Sequence, residues 1–285
     1  MDDLLENIQR YIKSMPSLPT TVAKVLEVCN NPKTSPADLN QVISLDPVLV
    51  GRVLKLINSA YYSPSRQVTS LVRAIIMLGI NTVKNLALSL AVMESLHPKR
   101  NAPGLNMDGF WRHSLCVGVA AKTIAKKRGV DIKLREEYFT AGLLHDIGKI
   151  PLNAVLTTKY MLTVSSADRE RNSLFLMEDR TLGINHCASG AMIVHAWRLT
   201  GAVAEVIEHH HTYLTYQGSF RDILFTVAAA NQFAASMEIG FSGDRYPAKI
   251  DPSVWEYLGF NRDVFEELEP LVMQAIEKAQ IFLKL

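Results

Sequence analysis

The stretch Arg135-Glu-Glu-Tyr-Phe-Thr-Ala-Gly-Leu-Leu-His-Asp-Ile-Gly-Lys149 decides how the rest of the chain is read. Tyr138, Ala141, Gly142 and Leu144 give it an apolar helical face, which predicts a helix over 134–146 that stops at Gly148. Adjacent histidine and aspartate side chains diverge in mid-helix. At a helix end the backbone unwinds, and His145 and Asp146 can then turn toward one point. An imidazole nitrogen beside a carboxylate oxygen suits Fe, Mn, Zn or Ni better than Ca. Alone, the dipeptide is commonplace.

Outward from this stretch the periodicity stays helical. Val22, Val25, Leu26 and Cys29 share one face, with Thr20 as the expected N-cap after Pro19. Ser35-Pro36-Ala37-Asp38 reads as an N-cap, a proline at the first helical position and an acid in the first turn. Asp46-Pro47 repeats the device. Further helices fit 71–78 and 82–95, divided by Gly79, and then 109–128, 179–198, 201–212, 220–238 and 263–283. Residues 98–108 have the composition of a linker. Residues 157–178 are polar and weakly periodic, which predicts a loop or a short frayed helix. No alternating stretch competes as a strand. The expected fold is an all-α multi-helix bundle.

Composition narrows the function. With 285 residues, 48% of them hydrophobic and 20% charged, the chain can bury a core of one large domain or two ordinary ones. The net charge of +2 gives no electrostatic footprint for nucleic acid. Cys29, Cys116 and Cys187 are far apart and form no metal knuckle or disulfide framework, so a reducing compartment is expected. The acidic, amphipathic start is unlike a signal peptide, and apolar runs such as Leu86–Met93 fall short of the roughly 18 residues of a spanning helix. A cytoplasmic protein without membrane contact is the expectation.

The eight histidines stand out, because seven fall between His113 and His211. Taken alone, His113 reads as a packed or surface residue on its amphipathic helix. His186 sits four residues before Gly190, which would admit a neighbouring helix. His195 lies about 180° around that helix at ~100° per residue and faces away. In His209-His210-His211, the second and third adjoin the apolar face of Val203, Val206 and Ile207, whereas His209 aligns outward with Glu205. By themselves these three also fit a polar helix end that caps carbonyls. Asn231, on a face of Val227, Ala230 and Ala234, is either a donor to a neighbouring helix or a weak ligand through its side-chain oxygen. The order of the pieces, each on its own helix, is what points to convergence. Buried together, protonated histidines repel, so the cluster needs a metal or neutral imidazoles.

The pattern His113, His145-Asp146-Ile147-Gly148-Lys149, His186 and the paired His210-His211 resembles the HD superfamily of metal-dependent phosphohydrolases. The whole chain, from about residue 10, resembles the HDOD proteins, a signalling-associated branch of bacterial origin. The residues that carry this are Met15-Pro-Ser-Leu-Pro19, Leu45-Asp-Pro-Val-Leu49, Leu54-Lys-Leu-Ile-Asn-Ser-Ala60 and Ala74-Ile-Ile-Met-Leu-Gly79. Glu178, Leu182-Gly-Ile-Asn-His186, Gly190 and Trp197 extend the match. The resemblance implies a helical part over 1–100 packed on an HD-like part over 101–285. It implies one or two divalent transition ions (Fe, Mn, Zn or Ni) on His113, His145, Asp146, His186, His210 and His211. It assigns Asp146 and Lys149 to catalysis in hydrolytic relatives, where the lysine helps neutralise phosphate. Asn231 stands where HD phosphodiesterases carry a final aspartate ligand, and Thr212-Tyr-Leu-Thr215 replaces the Gly-Tyr-Pro of the cyclic-di-GMP branch. Two functions follow as expectations. One is a regulatory protein that keeps its metal site and acts through protein partners. The other is a phosphohydrolase or phosphodiesterase acting on a nucleotide or other phosphorylated small molecule.

Overall fold

A computed structural model describes residues 2–96, 104–260 and 263–285. Among these residues every regular element is helical. His97 and residues 98–103 of the expected linker lie outside them.

The N-terminal helices are α1 (Asp2–Ser14), α2 (Thr20–Cys29), α3 (Pro36–Ile43), α4 (Pro47–Ile57), α5 (Leu71–Leu78) and α6 (Ile80–Ser95). Their starts follow local chemistry. Ser35 forms a reciprocal capping box with Asp38, and Asp46 accepts from the Leu49 amide, each ahead of a proline in the first turn. Thr20 is not the N-cap: it is the first helical residue, Pro19 takes the cap position, and no side chain caps this end. Gly79, at φ +90°, turns the chain through 117° between α5 and α6. The middle of α6 is buried all round, because α2 and α4 pack on one side and α8 on another. No single described helix is long and apolar enough to cross a membrane.

The remaining helices are α7 (Met107–Lys127), α8 (Arg135–Leu144), α9 (Lys149–Val155), α10 (Thr157–Glu170), α11 (Leu174–Leu182), α12 (His186–Trp197), α13 (Ala202–His209), α14 (Arg221–Ser236), α15 (Pro252–Leu258) and α16 (Val264–Ala279). Helix α7 is the axis, packed by α8, α14 and α16. Glycines set the closest approach. A Cβ at Gly142 would lie 2.9 Å from Gly118 Cα, and one at Gly118 would lie 2.8 Å from the Phe139 carbonyl. This crossing brings His113 of α7 beside the end of α8. The N-terminal helices join here through α6 on α8 and through α1 on α9 and α12.

Three boundaries differ from the sequence reading. Residues 157–178 are neither a loop nor a short frayed helix: they form α10 and the first half of α11. The buried face of α10 is Tyr160, Thr163 and Ala167, so its periodicity is written in small and polar residues that a hydrophobic pattern overlooks. Residues 179–198 are not one helix, because Gly183 adopts the left-handed conformation and ends α11, and Asn185 caps α12. The last helix ends at Ala279 and continues as a 3₁₀ turn, Gln280–Lys284.

Candidate metal centre

The α-helix stops at Leu144, and His145 and Asp146 lie in the tight turn before α9. The close approach behind them depends on two glycines. A Cβ at Gly148 would meet the His186 carbonyl at 1.9 Å and the Gly190 amide at 2.5 Å, and one at Gly190 would meet Ile207 at 2.5 Å. Bare backbone therefore lets the α8–α9 turn rest on the start of α12, and α12 on α13. His186 is the first residue of α12, and His210 and His211 follow the end of α13. Unwound or terminal backbone at each position lets neighbouring side chains converge, as expected for His145-Asp146.

Two donor groups result, and Asp146 belongs to both. Donor atoms of Asp146, His186, His210 and His211 lie within 4.8 Å of one another, and so do those of His113, His145 and Asp146. His113, His145, Asp146, His186 and His210 are buried, while His211 and Asn231 are half-buried at the open edge. Asn231 Oδ1 is 2.9 Å from His113 Nε2, so it does border the site. His195 is exposed, and His209 faces Glu205 and Glu208 at the surface, both as expected.

Hydrogen bonds fix which imidazole nitrogens carry protons. His145 Nδ1 lies 2.8 Å from the Gly142 carbonyl and His210 Nδ1 lies 2.9 Å from the Val206 carbonyl. A carbonyl only accepts, so both Nδ1 atoms donate. His186 Nδ1 donates to Glu178 Oε2 at 2.6 Å, and the same oxygen accepts from the His186 amide at 2.8 Å. Each Nε2 is then turned inward, with a lone pair wherever the ring is neutral. His186 Nε2 and His210 Nε2 face each other at 3.2 Å, and His145 Nε2 and Asp146 Oδ1 are buried without a hydrogen-bond partner. Buried lone pairs turned on one another are costly unless a proton or a cation lies between them.

The charges follow the same logic. Burial pushes His145, His186 and His211 below the usual imidazole value, and His113 down to about 3. Burial opposes charge on His210 too, but Cys187 and Asp146 raise it to about 10. Burial opposes the Asp146 carboxylate, yet His145 and Lys149 hold it well below the usual range. By charge the cluster is an ionised carboxylate among neutral imidazoles except at His210, whose extra proton sits on Nε2, between it and His186, in the place a cation would take. The donor set fits a borderline-soft divalent ion such as Fe, Mn, Zn or Ni.

Lys149 opens α9, and its buried ammonium donates to Asp146 Oδ2 at 2.7 Å and to Ser242 Oγ at 3.2 Å. It faces the carboxylate and not an open space. Glu178, Tyr160, Ser242 and Phe175 were not foreseen as parts of the site. Tyr160 donates to Glu178 Oε1 at 2.9 Å, and Phe175 stacks on His211 at 4.6 Å between ring centres. The signal for Glu178 was an acid eight residues before a candidate ligand, at the end of a segment whose pattern predicts a loop or a short frayed helix. Ser242 comes from an irregular segment after α14 and left no signal.

Comparison with known proteins matches the HDOD domain over residues 15–213. The chain belongs to the HDOD family. An HDOD domain protein of unknown function from Geobacter sulfurreducens shares the fold, with a TM-score of 0.78 at 23% identity over 99% of this chain and 98% of that one. A "Putative phosphohydrolase" from Shewanella amazonensis SB2B gives a TM-score of 0.70 at 25% identity over 96% of this chain and 97% of that one. A "Putative signal transduction protein" from Marinobacter aquaeolei VT8 gives 0.76 at 22% over 99% of this chain and 65% of that one. An uncharacterized Treponema pallidum (strain Nichols) protein is 26% identical over 80% of this chain. This HDOD chain spans 44% of that relative's length.

Proposed function

We propose that this HDOD protein is a signal-transduction component that holds a divalent transition ion in its histidine–aspartate cluster and acts mainly through protein partners. The observation that carries the metal is the convergence of buried, inward-turned donor atoms: His145 Nε2 and Asp146 Oδ1, which have no hydrogen-bond partner, and the Nε2 atoms of His186 and His210, which face each other and need a proton or a cation between them. Glu178 supports it, since a carboxylate on the far nitrogen of a histidine fixes the ring and raises its basicity as a ligand. Partner contact is supported by the N-terminal helices, where Leu45, Val48 and Ile76 are each more than 60% exposed.

A second reading is a metal-dependent phosphohydrolase, favoured by the half-open edge at His211 and Asn231 and by the likeness to the Shewanella protein. A bound ion would supply Lewis acidity toward a phosphoryl oxygen and would activate water. The chain's own part would be to hold the ion, keep Asp146 ionised through Lys149 and orient His186 through Glu178. The missing carboxylate at Asn231 and the engagement of Lys149 with Asp146 favour the regulatory reading.

The two readings share one experiment. Protein purified without added metal is expected to contain close to one equivalent or more of transition ion, and loss of the ion in His145→Ala and Asp146→Ala is expected. Less than about 0.2 equivalents in the parent protein would overturn both readings, since each needs the folded chain to hold the ion. A panel of nucleotides and phosphodiesters then separates them. Turnover that disappears in the two variants makes the protein a hydrolase, whereas turnover no greater than in the variants supports the regulatory role.

A further inference from the structure

The two donor groups share one carboxylate but do not have equal claim on it. Asp146 Oδ1 faces His186 Nε2 at 3.4 Å and His210 Nε2 at 3.5 Å, and it has no hydrogen-bond partner. Asp146 Oδ2 faces His145 Nε2 at 3.3 Å, but it already accepts from the Lys149 ammonium at 2.7 Å. On the His186 side, then, three histidines meet a free carboxylate oxygen. On the His113 side, two histidines and the neutral Asn231 meet an oxygen that a buried cation already holds.

Lys149 is also held in place. Its ammonium has a second bond to Ser242, whose segment is tied to the start of α7: Phe241 N donates to the Gly109 carbonyl at 2.9 Å. Gly240, at φ +71°, lies so close to α7 that a Cβ would meet the His113 amide at 2.3 Å. Residues 240–242 therefore press on the same helix that carries His113 while one of them anchors the lysine. Moving Lys149 off Asp146 would mean breaking a buried ion pair and displacing this segment.

We propose that Lys149 is an internal cation that takes the place of a second ion, so that the centre holds one tight ion on Asp146, His186, His210 and His211. The His113–His145–Asn231 side is then a weak subsite. A dication there would share Oδ2 with an ammonium a few ångströms away, and like charges at that range in a dry site repel strongly. The inference rests on the proposed metal reading, but its failure looks different.

The test uses the full chain loaded with Mn²⁺, desalted and assayed for bound metal, with the EPR spectrum of the bound Mn²⁺ as a second readout. One equivalent with the six-line spectrum of an isolated ion is expected. Two equivalents with an exchange-coupled spectrum would overturn the inference while leaving the metal reading intact. Zero equivalents would overturn both. His210→Ala is expected to lose the tight ion, and His113→Ala to keep it with affinity changed less than about threefold; the reverse order would overturn the assignment. Lys149→Met is expected to admit a second Mn²⁺ and give a coupled spectrum, and a folded Lys149→Met protein that still binds one would overturn the role of the lysine. Should that variant fail to fold, Asn231→Asp supplies the missing carboxylate with the lysine in place. It is expected to raise affinity for a second Mn²⁺ at least tenfold, and no second ion at millimolar Mn²⁺ would count against the subsite.

Discussion

The two ends of α8 both bury charge, and they do so in opposite ways. Near its start, Glu136 is buried and each oxygen has a partner: Tyr62 donates to Oε1 at 2.6 Å and Lys122 to Oε2 at 2.6 Å. The Lys122 ammonium lies 4.5 Å from the Tyr61 ring centre and 5.0 Å from that of Tyr62. This pair ties the segment after α4 to α7 and α8. Just past the other end of the helix, His145 Nε2 and Asp146 Oδ1 have no hydrogen-bond partner and face only one another's side chains and the histidine nitrogens, at 3.3–3.5 Å. Full satisfaction marks a structural clamp, whereas convergent unsatisfied acceptors mark a place for something that is not protein. A metal should therefore act on one end of α8 and leave the other alone.

The largest effect is expected where both ends fail together. Gly148→Ala puts a methyl group 1.9 Å from a backbone oxygen that cannot swing aside, so the α8–α9 turn must leave α12. The cost should reach or pass the upper end for overpacking, about 3 kcal/mol, with loss of a cooperative thermal transition and of bound metal together. Gly51→Ala is the matching control. Its added Cβ meets nothing within 4 Å on α4, and replacing a mid-helix glycine should stabilise by about 0.5–1 kcal/mol. A Gly148→Ala protein that melts like its parent would show that this approach is not what assembles the cluster.

Glu136→Ala separates the ends. It leaves Lys122 without its carboxylate, and the remaining exposure of the lysine side chain softens the penalty to about 3 kcal/mol. Denaturant melts should show that loss, while bound metal per folded chain stays at the parent value. A parallel fall in metal content would mean the clamp reaches the centre through α8 and is not merely structural. Metal removal is the converse. Chelation should lower the stability by the linkage free energy, about 2.7 kcal/mol at an ion concentration a hundred times Kd, and with it the melting temperature. The shift should persist in Glu136→Ala and vanish in His145→Ala.

The same contrast explains how much could be read beforehand. His145-Asp146 was legible because a helix cannot aim adjacent side chains together, so their use implies a helix end, and they lie at one; His210-His211 stood out by adjoining the apolar face of a helix read over 201–212, which instead ends at His209 just before them. Capping at Ser35 and Asp46 was legible because the cap and its donor are three residues apart in the chain. The break at Gly183-Ile184-Asn185 was written in residues known to end and start helices, yet an apolar pattern ran through it. The engagement of Lys149 was not legible at all. Its partner Ser242 is 93 residues away in an irregular segment, and only the packing of that segment on α7 brings the two together. Local chemistry fixes elements and ends; the state of a buried charge depends on distant neighbours.

Glu178 tests the contrast most finely, because it is fully partnered yet touches the site. Its two oxygens accept from Tyr160, from the His186 amide and from His186 Nδ1, so by satisfaction alone it resembles Glu136. Its role differs because one of its donors is a candidate ligand. Burial pushes the Glu178 carboxyl up to about 8, and its contacts are all donors to its oxygens; Glu178→Gln keeps the shape and an oxygen for the imidazole N–H but removes the carboxylate character that makes His186 a stronger base. Such substitutions typically cost 10–100-fold in metal affinity. Isothermal titration with Mn²⁺ should show a loss in that range, while the melting temperature of the metal-free protein moves far less than in Glu136→Ala. If the metal-free melt falls as far as it does in Glu136→Ala and affinity does not change, Glu178 is a second clamp, and the division between the ends of α8 would have to be redrawn to leave His186 outside the metal centre.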